Sequence, residues 1–182
     1  MLLFWRHGYE ATSLSDLTGA MGVTPPSIYA AFGDKKRLFL EAVRRYLSGP
    51  VMSEQLIEEA PTAREAAWGL LRGSVILFTG EDTPPGCLLA SSAISCSAAT
   101  ADVQAKLASL RSGIEGLLTN RIAAAVASSE LSGTTDIEAL AGHAMAVIQG
   151  LSTPARDGAS RDKRVRIETS AMLAWPDPDT RR

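Results

Sequence analysis

The sequence predicts an all-α protein, with a small three-helix N-terminal unit followed by a larger helical body, and three observations lead there. Apolar residues recur at helical spacing along most of the chain, most plainly at Val103, Leu107, Leu110, Ile114 and Leu117. Alanine and leucine, which lose little on entering a helix, are abundant, while aromatic residues make up only 5% of the 182 positions. No segment alternates with the period of two that a half-buried strand requires.

The opening Leu2-Leu3-Phe4 starts abruptly inside a helical pattern, as though the beginning of the first helix were missing, and Gly8 is placed to close that helix. Ser13 can cap the amide of Asp16, which stands where a capping box carries Glu or Gln, and Leu14, Leu17 and Met21 then share one face. Gly22 stops this second helix. Thr24 caps the third, Pro25 occupies its first position, and it runs only to about Ala31. Gly33-Asp34 breaks and recaps the chain, and a longer helix from Lys35 buries Leu38, Ala42, Val43 and Leu47, until Gly49-Pro50 closes the unit. The expected division is therefore 1–48 and 49–182.

In the body, Pro61-Thr62 begins a helix to about Thr79, with Trp68, Leu71, Val75 and Phe78 on one stripe. Gly80–Gly86, with Pro84-Pro85, reads as a loop, and Cys87–Ser97 as a short helix buried on most sides. A long amphipathic helix covers Ala101–Ser128, its seam passing through Arg121 and Val126 with Ile122 adjoining. Asp136 caps a helix to about Leu151, a break with Pro154 and Gly158 follows, and Arg161–Trp175 forms the last helix before Pro176-Asp177-Pro178.

The order helix, glycine turn, short helix over Ser13–Phe32 suits a DNA-reading helix-turn-helix. Gly22 supplies a positive φ without a Cβ clash, and Val23 and Ile28 pin the second helix onto the core. Its amino end, with free backbone amides and the positive end of its dipole, is then free to enter a major groove. Thr24, Ser27 and Tyr29 offer hydroxyls there, and Lys35 a phosphate anchor. Charge agrees: residues 1–50 carry six Lys/Arg against four Asp/Glu, so a molecule of net charge −2 has a head of +2 on a body of −4. Two packed helices of an ordinary bundle would share the bare spacing, so more than spacing is needed.

That comes from the string Gly8-Tyr9-Glu10-Ala11-Thr12-Ser13, Leu17, Gly22-Val23-Thr24, Ile28-Tyr29, Phe32, Lys35 and Leu38-Phe39, which resembles the DNA-binding head of the tetracycline-repressor (TetR) family over residues 2–47. The body stretches Pro85-Gly86-Cys87-Leu88-Leu89 and Gln149–Ser160 are similar to one branch of the same family. The resemblance implies a homodimer on double-stranded operator DNA, a helical body with an effector pocket, usually a repressor's role, and DNA contacts by Thr24, Ser27, Tyr29 and Lys35. Two residues depart from the family pattern: Thr18 replaces the usual alanine against the recognition helix, and Pro26 follows Pro25.

Pairing is expected on the last two helices, with Ala141, Ala144 and Ala171 allowing close approach. Candidates for the effector pocket are Trp68, Leu71, Val75, Phe78, Ser92, Cys96, Ile114, Met145 and Gln149, a largely apolar set suited to a small hydrophobic or amphipathic compound. Cys87 and Cys96 fall on opposite sides of one expected helix and do not pair; Cys87, at that helix's start, is a candidate redox-reactive thiol, against the plainer reading of a small buried residue. His7 and His143 belong to no ligand cluster, so neither metal nor cofactor is expected, and no nucleophile elbow, phosphate loop or carboxylate pair points to an enzyme. The first residues are too short for a signal segment and no apolar run spans a membrane, so the expected location is the cytoplasm.

Overall fold

The computed structural model describes residues 1–49, 53–79, 83–94 and 96–176, and every described element is helical. The chain's start forms α1 (Leu2–Ala11). Gly8 does not close this helix but kinks it, at φ 83°. Past the kink the Tyr9 amide leaves the helical ladder and donates to the Ser92 carbonyl at 2.8 Å. A side chain at Gly8 would bring its Cβ to 3.2 Å from that same carbonyl oxygen.

α2 (Leu14–Met21) begins on the expected capping box, with Ser13 Oγ accepting from the Asp16 amide and the Asp16 carboxylate accepting from the Ser13 amide. It ends on Gly22 in the left-handed region. α3 (Pro25–Phe32) and α4 (Lys35–Leu47) follow, the latter capped by the Asp34 carboxylate on the Arg37 amide at 2.7 Å. Aromatic rings fill the space between α1 and α4. Phe39 meets Phe4 edge-on and Tyr9 at a tilt, both at 5.0 Å between centroids, and Trp5 meets Tyr46 edge-on at 4.8 Å.

The body opens with a helix the sequence did not announce, α5 (Ser53–Glu58). At six residues between Pro50 and Pro61 it is too short to show a period, and only Ile57 is buried. The predicted Gly49-Pro50 closure lies partly outside the described residues, since Pro50 is not among them. α6 (Ala63–Leu77) is capped by Thr62, whose hydroxyl accepts from the Glu65 amide. Of the predicted Gly80–Gly86 loop, residues 80–82 fall outside the description.

The helix predicted over Cys87–Ser97 is a correction. Only α7 (Leu88–Ser91) forms, and a separate 3-10 turn covers Ala98–Thr100; Ser95 lies outside the described residues. The carbonyls that would carry the helix onward have other partners. Arg111 donates to the Leu89 carbonyl at 2.6 Å, Tyr9 takes that of Ser92, and the Ser91 and Ser92 hydroxyls bond back to Cys87 and Leu88. Serine-rich composition ended what apolar composition began.

α8 (Ala101–Ala127) buries Val103, Leu107, Leu118, Ile122 and Ala125, a stripe beside the predicted seam, whose Leu110, Ile114, Leu117 and Val126 are only half-buried. α9 (Ile137–Arg156), capped by Asp136, runs straight through Pro154, so the break predicted from that proline comes later. So near the helix end Pro154 removes a single hydrogen bond. The turn is made instead by Gly158 at φ 82°, where the amides of Gly158 and Ala159 bond to the carbonyls of Ala155 and Pro154. α10 (Arg161–Met172) starts on a Ser160 cap and ends before the predicted Trp175; Asp177 and Pro178 lie outside the described residues.

Body helices α6, α8 and α9 pack together, with α10 across α6 and α9. Ala141, Ala144 and Ala171 are buried in this packing, which corrects their expected place on a pairing surface. The head is tied to the body by polar bonds as well as packing. Trp5 Nε1 donates to the Gly86 carbonyl at 2.8 Å, the Glu10 carboxylate accepts from Ser97 and Thr100, and Lys36 pairs with Asp102.

Candidate nucleic-acid interface and body cavity

The turn between α2 and α3 is built by backbone. Gly22 sits at φ 63°, ψ 31°, and both its amide and that of Val23 bond to the Thr18 carbonyl. Leu17 from α2 and Ile28 from α3 are buried and hold the two helices together. Val23, expected to help pin α3, is 40% exposed, because the left-handed turn directs it outward, and so it does not serve as a pin. Thr18, the departure on α2, is half-buried and its hydroxyl donates back to the Ser15 carbonyl, so it is satisfied within its own helix.

The outer surface of α3 is open. Thr24, Ser27 and Tyr29 are all exposed, Tyr29 by 50%. Thr24 and Ser27 share a hydrogen bond between their hydroxyls at 3.0 Å, which fixes their relative position. The expectation of free backbone amides at this end needs correcting. Pro25 and Pro26 have none, and the amides of Ser27 and Ile28 both bond to the Thr24 carbonyl. What α3 presents is hydroxyl groups on a short, rigid stub.

Lys35 stands at the first position of α4, half-buried, with its Nζ 4.5 Å from the centre of the Tyr9 ring and 3.5 Å from the Glu10 carbonyl. Burial pushes its ammonium down from the ordinary lysine value, partly offset by the Glu10 and Asp16 carboxylates. Tyr9 thus holds the charge beside the end of α1. Lys36, one residue on, is taken up by the body through Asp102, and Arg37 remains largely exposed.

Where α4 of the head meets the body, a partly open, mainly apolar cavity of about 60 Å³ lies among α4, α6, α7, α8 and α9. Phe78, Ile114, Met145 and Gln149 of the expected set line it. The structure does not bring the others there. Leu71 and Val75 are buried in the packing around it, and Ser92 is buried with its hydroxyl on Leu88. Cys96 lies beyond α7, because the helix expected to carry it inward stops at Ser91. Trp68 turns away altogether: it is half-exposed and its indole donates to the buried Glu168 carboxylate of α10 at 2.7 Å. The period of α6 placed Trp68 on the right stripe, but Nε1–H needs an acceptor, and α10 supplies it.

Cys87 does line the cavity, and its sulfur accepts from the Tyr46 hydroxyl at 3.4 Å. It is buried, and burial raises the thiol above its ordinary value despite the Tyr46 bond and the nearby Arg111. The plainer reading of Cys87 as a small buried residue therefore fits better than a thiol activated by a helix start, for α7 is a single turn and the thiol is buried. Sequence reasoning also missed Arg111. It falls one turn after Leu107 on the buried stripe of α8, and a cation at that place in an apolar stripe was a readable signal.

Among the described residues no group of three or more His, Cys, Asp or Glu could hold a metal ion, and no helix is long and apolar enough to cross a membrane. Two family models match the chain: bacterial regulatory proteins of the tetR family over residues 1–42, and the tetracyclin repressor-like C-terminal domain over residues 71–168. The transcriptional repressor ComR of Escherichia coli K12 is 34% identical over 97% of this chain and 85% of its own length. A cysteine mutant of the TetR-family regulator CifR, solved with 26-base-pair operator DNA, superposes with a TM-score of 0.91 at 37% identity, covering 96% of this chain and 92% of that one. A TetR regulator from Rhodococcus sp. RHA1 aligns at 36% identity with a TM-score of 0.67, over 96% and 93% of the two chains. With the helix-turn-helix at its amino end and a helical body behind it, this chain belongs to the TetR family: it is a DNA-binding transcriptional regulator, not an enzyme.

Proposed function

We propose that the protein is a cytoplasmic, ligand-responsive repressor that binds a palindromic operator as a homodimer and leaves it when a small, largely apolar effector enters the body. Residues 1–48 form the reading head and residues 49–182 the sensing and pairing body. The observation that carries this reading is the exposure of Thr24, Ser27 and Tyr29 on a stub held from behind by the buried Leu17 and Ile28. Hydroxyls so placed bond to phosphates and base edges, and Lys35 adds a cation. That CifR, similar in fold and sequence, was solved with operator DNA supports the DNA-binding reading.

Two such stubs in a dimer would reach major-groove faces about 34 Å apart or a multiple of it. Pairing through α9 and α10 uses what they leave outside: Ala139, Ala146 and Gly150 are exposed on α9, and Leu173, just past α10, is 83% exposed. Effector in the cavity would shift α4, which belongs to the head, and α6, both of which line it. The coupling is about 1–3 kcal/mol in typical cases, and it needs an effector that favours one dimer shape.

Fluorescence anisotropy with operator DNA, selected from genomic fragments, tests the contacts. Tyr29→Ala and Lys35→Ala weaken binding to all sequences alike, Lys35→Ala also lowers the salt dependence, and Ser27→Ala changes base preference. Parental affinity in both Tyr29→Ala and Lys35→Ala would remove the assignment.

A further inference from the structure

Beside the apolar cavity lies a second and wider cleft of about 600 Å³. Its walls come from α7, α8 and α9, and its polar lining includes Arg111, Arg156, Gln149 and Asp157. Ala90, Arg111 and Gln149 line both spaces, so the cleft and the cavity adjoin across those three residues, and a ligand reaching from one into the other passes between the Arg111 and Gln149 side chains. From the geometry we infer that this pair of spaces binds a short-chain organic carboxylate, its carboxylate between Arg111 and Arg156 and its apolar tail in the cavity.

The two arginines are what point to an anion. Among the described residues neither has a carboxylate within ion-pair distance, although Asp157 shares the cleft. A guanidinium has five N–H donors in a planar fork. Arg111 gives one nitrogen to the Leu89 carbonyl. Arg156 donates to the carbonyls of Trp5 at 3.2 Å and Arg6 at 2.8 Å and to the Ser91 hydroxyl at 3.1 Å. All these acceptors are neutral. A carboxylate would give either arginine a charge-assisted bond, roughly twice as strong as a neutral one. The tail is limited by the cavity: at about 60 Å³ it admits a few carbon atoms, walled by Leu70, Phe78, Met145 and Ile148.

The same contacts join the site to the head. Trp5 and Arg6 belong to α1, so Arg156 links the end of α9 to the first helix of the DNA-binding unit. A carboxylate drawing Arg156 into the cleft competes with those two carbonyls and loosens α1. This coupling rests on the ligand-responsive repressor reading given above; the binding of the anion does not.

The test is calorimetric titration of the full-length protein with butanoate, with butan-1-ol of the same chain length and with inorganic phosphate, followed by operator binding with and without butanoate. Butanoate binds at least tenfold more tightly than either comparison compound, Arg111→Gln weakens it at least tenfold, and it weakens operator binding by the parent protein. Arg156→Gln acts likewise on butanoate, and circular dichroism checks that it remains folded. If Arg156→Gln does not fold, Arg111→Gln decides alone, because Arg111 has a single backbone bond to lose. Equal binding of butanoate and butanol, phosphate binding as tight as butanoate, or an unaffected Arg111→Gln would overturn the site. Butanoate that binds as described yet leaves operator affinity unchanged would overturn the coupling alone. Failure of the ligand-free protein to bind any operator would strike the repressor reading and leave the anion site standing.

Discussion

In the head, Phe4, Trp5, Tyr9, Phe39 and Tyr46 meet ring against ring, whereas buried positions on α6, α8 and α9 of the body are mainly alanine and leucine, with Val103, Ile122 and Met145 among them. Rings have few rotamers and preferred mutual angles, so an aromatic cluster fixes one arrangement of the helices around it. Small aliphatic side chains let helices approach closely, and where α6, α8 and α9 meet α4 a cavity is left, walled by Tyr46 and Phe78 as well as by Leu70, Met145 and Ile148. The contrast matches the tasks. Under the proposed function, a reading head needs its three hydroxyls in one place and a sensing body needs room that a ligand can enter.

The most damaging way to probe the contrast is Phe39→Ala. Its ring is fully buried and touches both Phe4 and Tyr9, so its removal costs about 3–5 kcal/mol, by urea denaturation followed through helical circular dichroism. Leu107→Ala, equally buried on α8, costs about 2–5 kcal/mol, with the low end expected because neighbouring aliphatic side chains relax into the gap. If Leu107→Ala proved the more costly, the head would not be the more tightly specified half.

Gly86→Ala acts at the boundary between the two regions. Gly86 has φ 84°, and a Cβ there would stand 2.8 Å from Arg156 Cγ and 2.9 Å from the Ser152 carbonyl oxygen. Its own carbonyl takes the Trp5 indole, so a shift to relieve the clash would disturb the joint between body and α1. The expected loss is about 1–3 kcal/mol in thermal unfolding. Operator affinity should fall with it, by more than Leu107→Ala causes. Parental stability would mean that the joint yields easily, and that head and body are less firmly connected than their hydrogen bonds imply.

The two regions also differed in how far the sequence disclosed them. In the head every helix could be placed, because Ser13, Gly22, Gly33 and Asp34 are local signals that act on their own neighbours, whereas Thr24 stands at the N-cap of α3 without capping it, its hydroxyl bonding to that of Ser27 instead of to a backbone amide. The errors there were of direction: Gly8 kinks rather than ends α1, since its partner Ser92 is far along the chain. In the body the misses were tertiary. α7 was overextended because nothing in Cys87–Ser97 shows that Arg111 and Tyr9 claim its carbonyls. α9 runs three residues beyond Thr153 because a proline near a helix end, which in sequence looks like a stop, costs only one hydrogen bond there. Of the candidate site, the α3 hydroxyls were legible; the cavity wall was half legible, since period places a residue on a stripe but not against a particular neighbour. Trp68 and Arg111 show both sides of that limit.

The smallest effect tests whether the head's local signals matter once its aromatic core is formed. Ser13→Ala removes the hydroxyl that accepts from the Asp16 amide at 3.0 Å and donates to the Asp16 carboxylate at 2.6 Å. Loss of such a cap costs about 0.5–2 kcal/mol. The hydroxyl bond from Ser13 holds the Asp16 carboxyl below the usual aspartate value, helped by the Ser13 amide. A carboxyl lowered in the folded protein stabilises it above the ordinary pKa, and that contribution fades as acid protonates the folded form. The gap between Ser13→Ala and the parent in chemical denaturation should therefore be widest near neutrality and narrow below the ordinary aspartate range. A gap that stays constant across that range would assign the whole effect to the Asp16 amide bond and none to the carboxylate. No gap at neutral pH would show that the rings of α1 and α4 alone hold α2 in register, which would carry the contrast between head and body further than the buried side chains do.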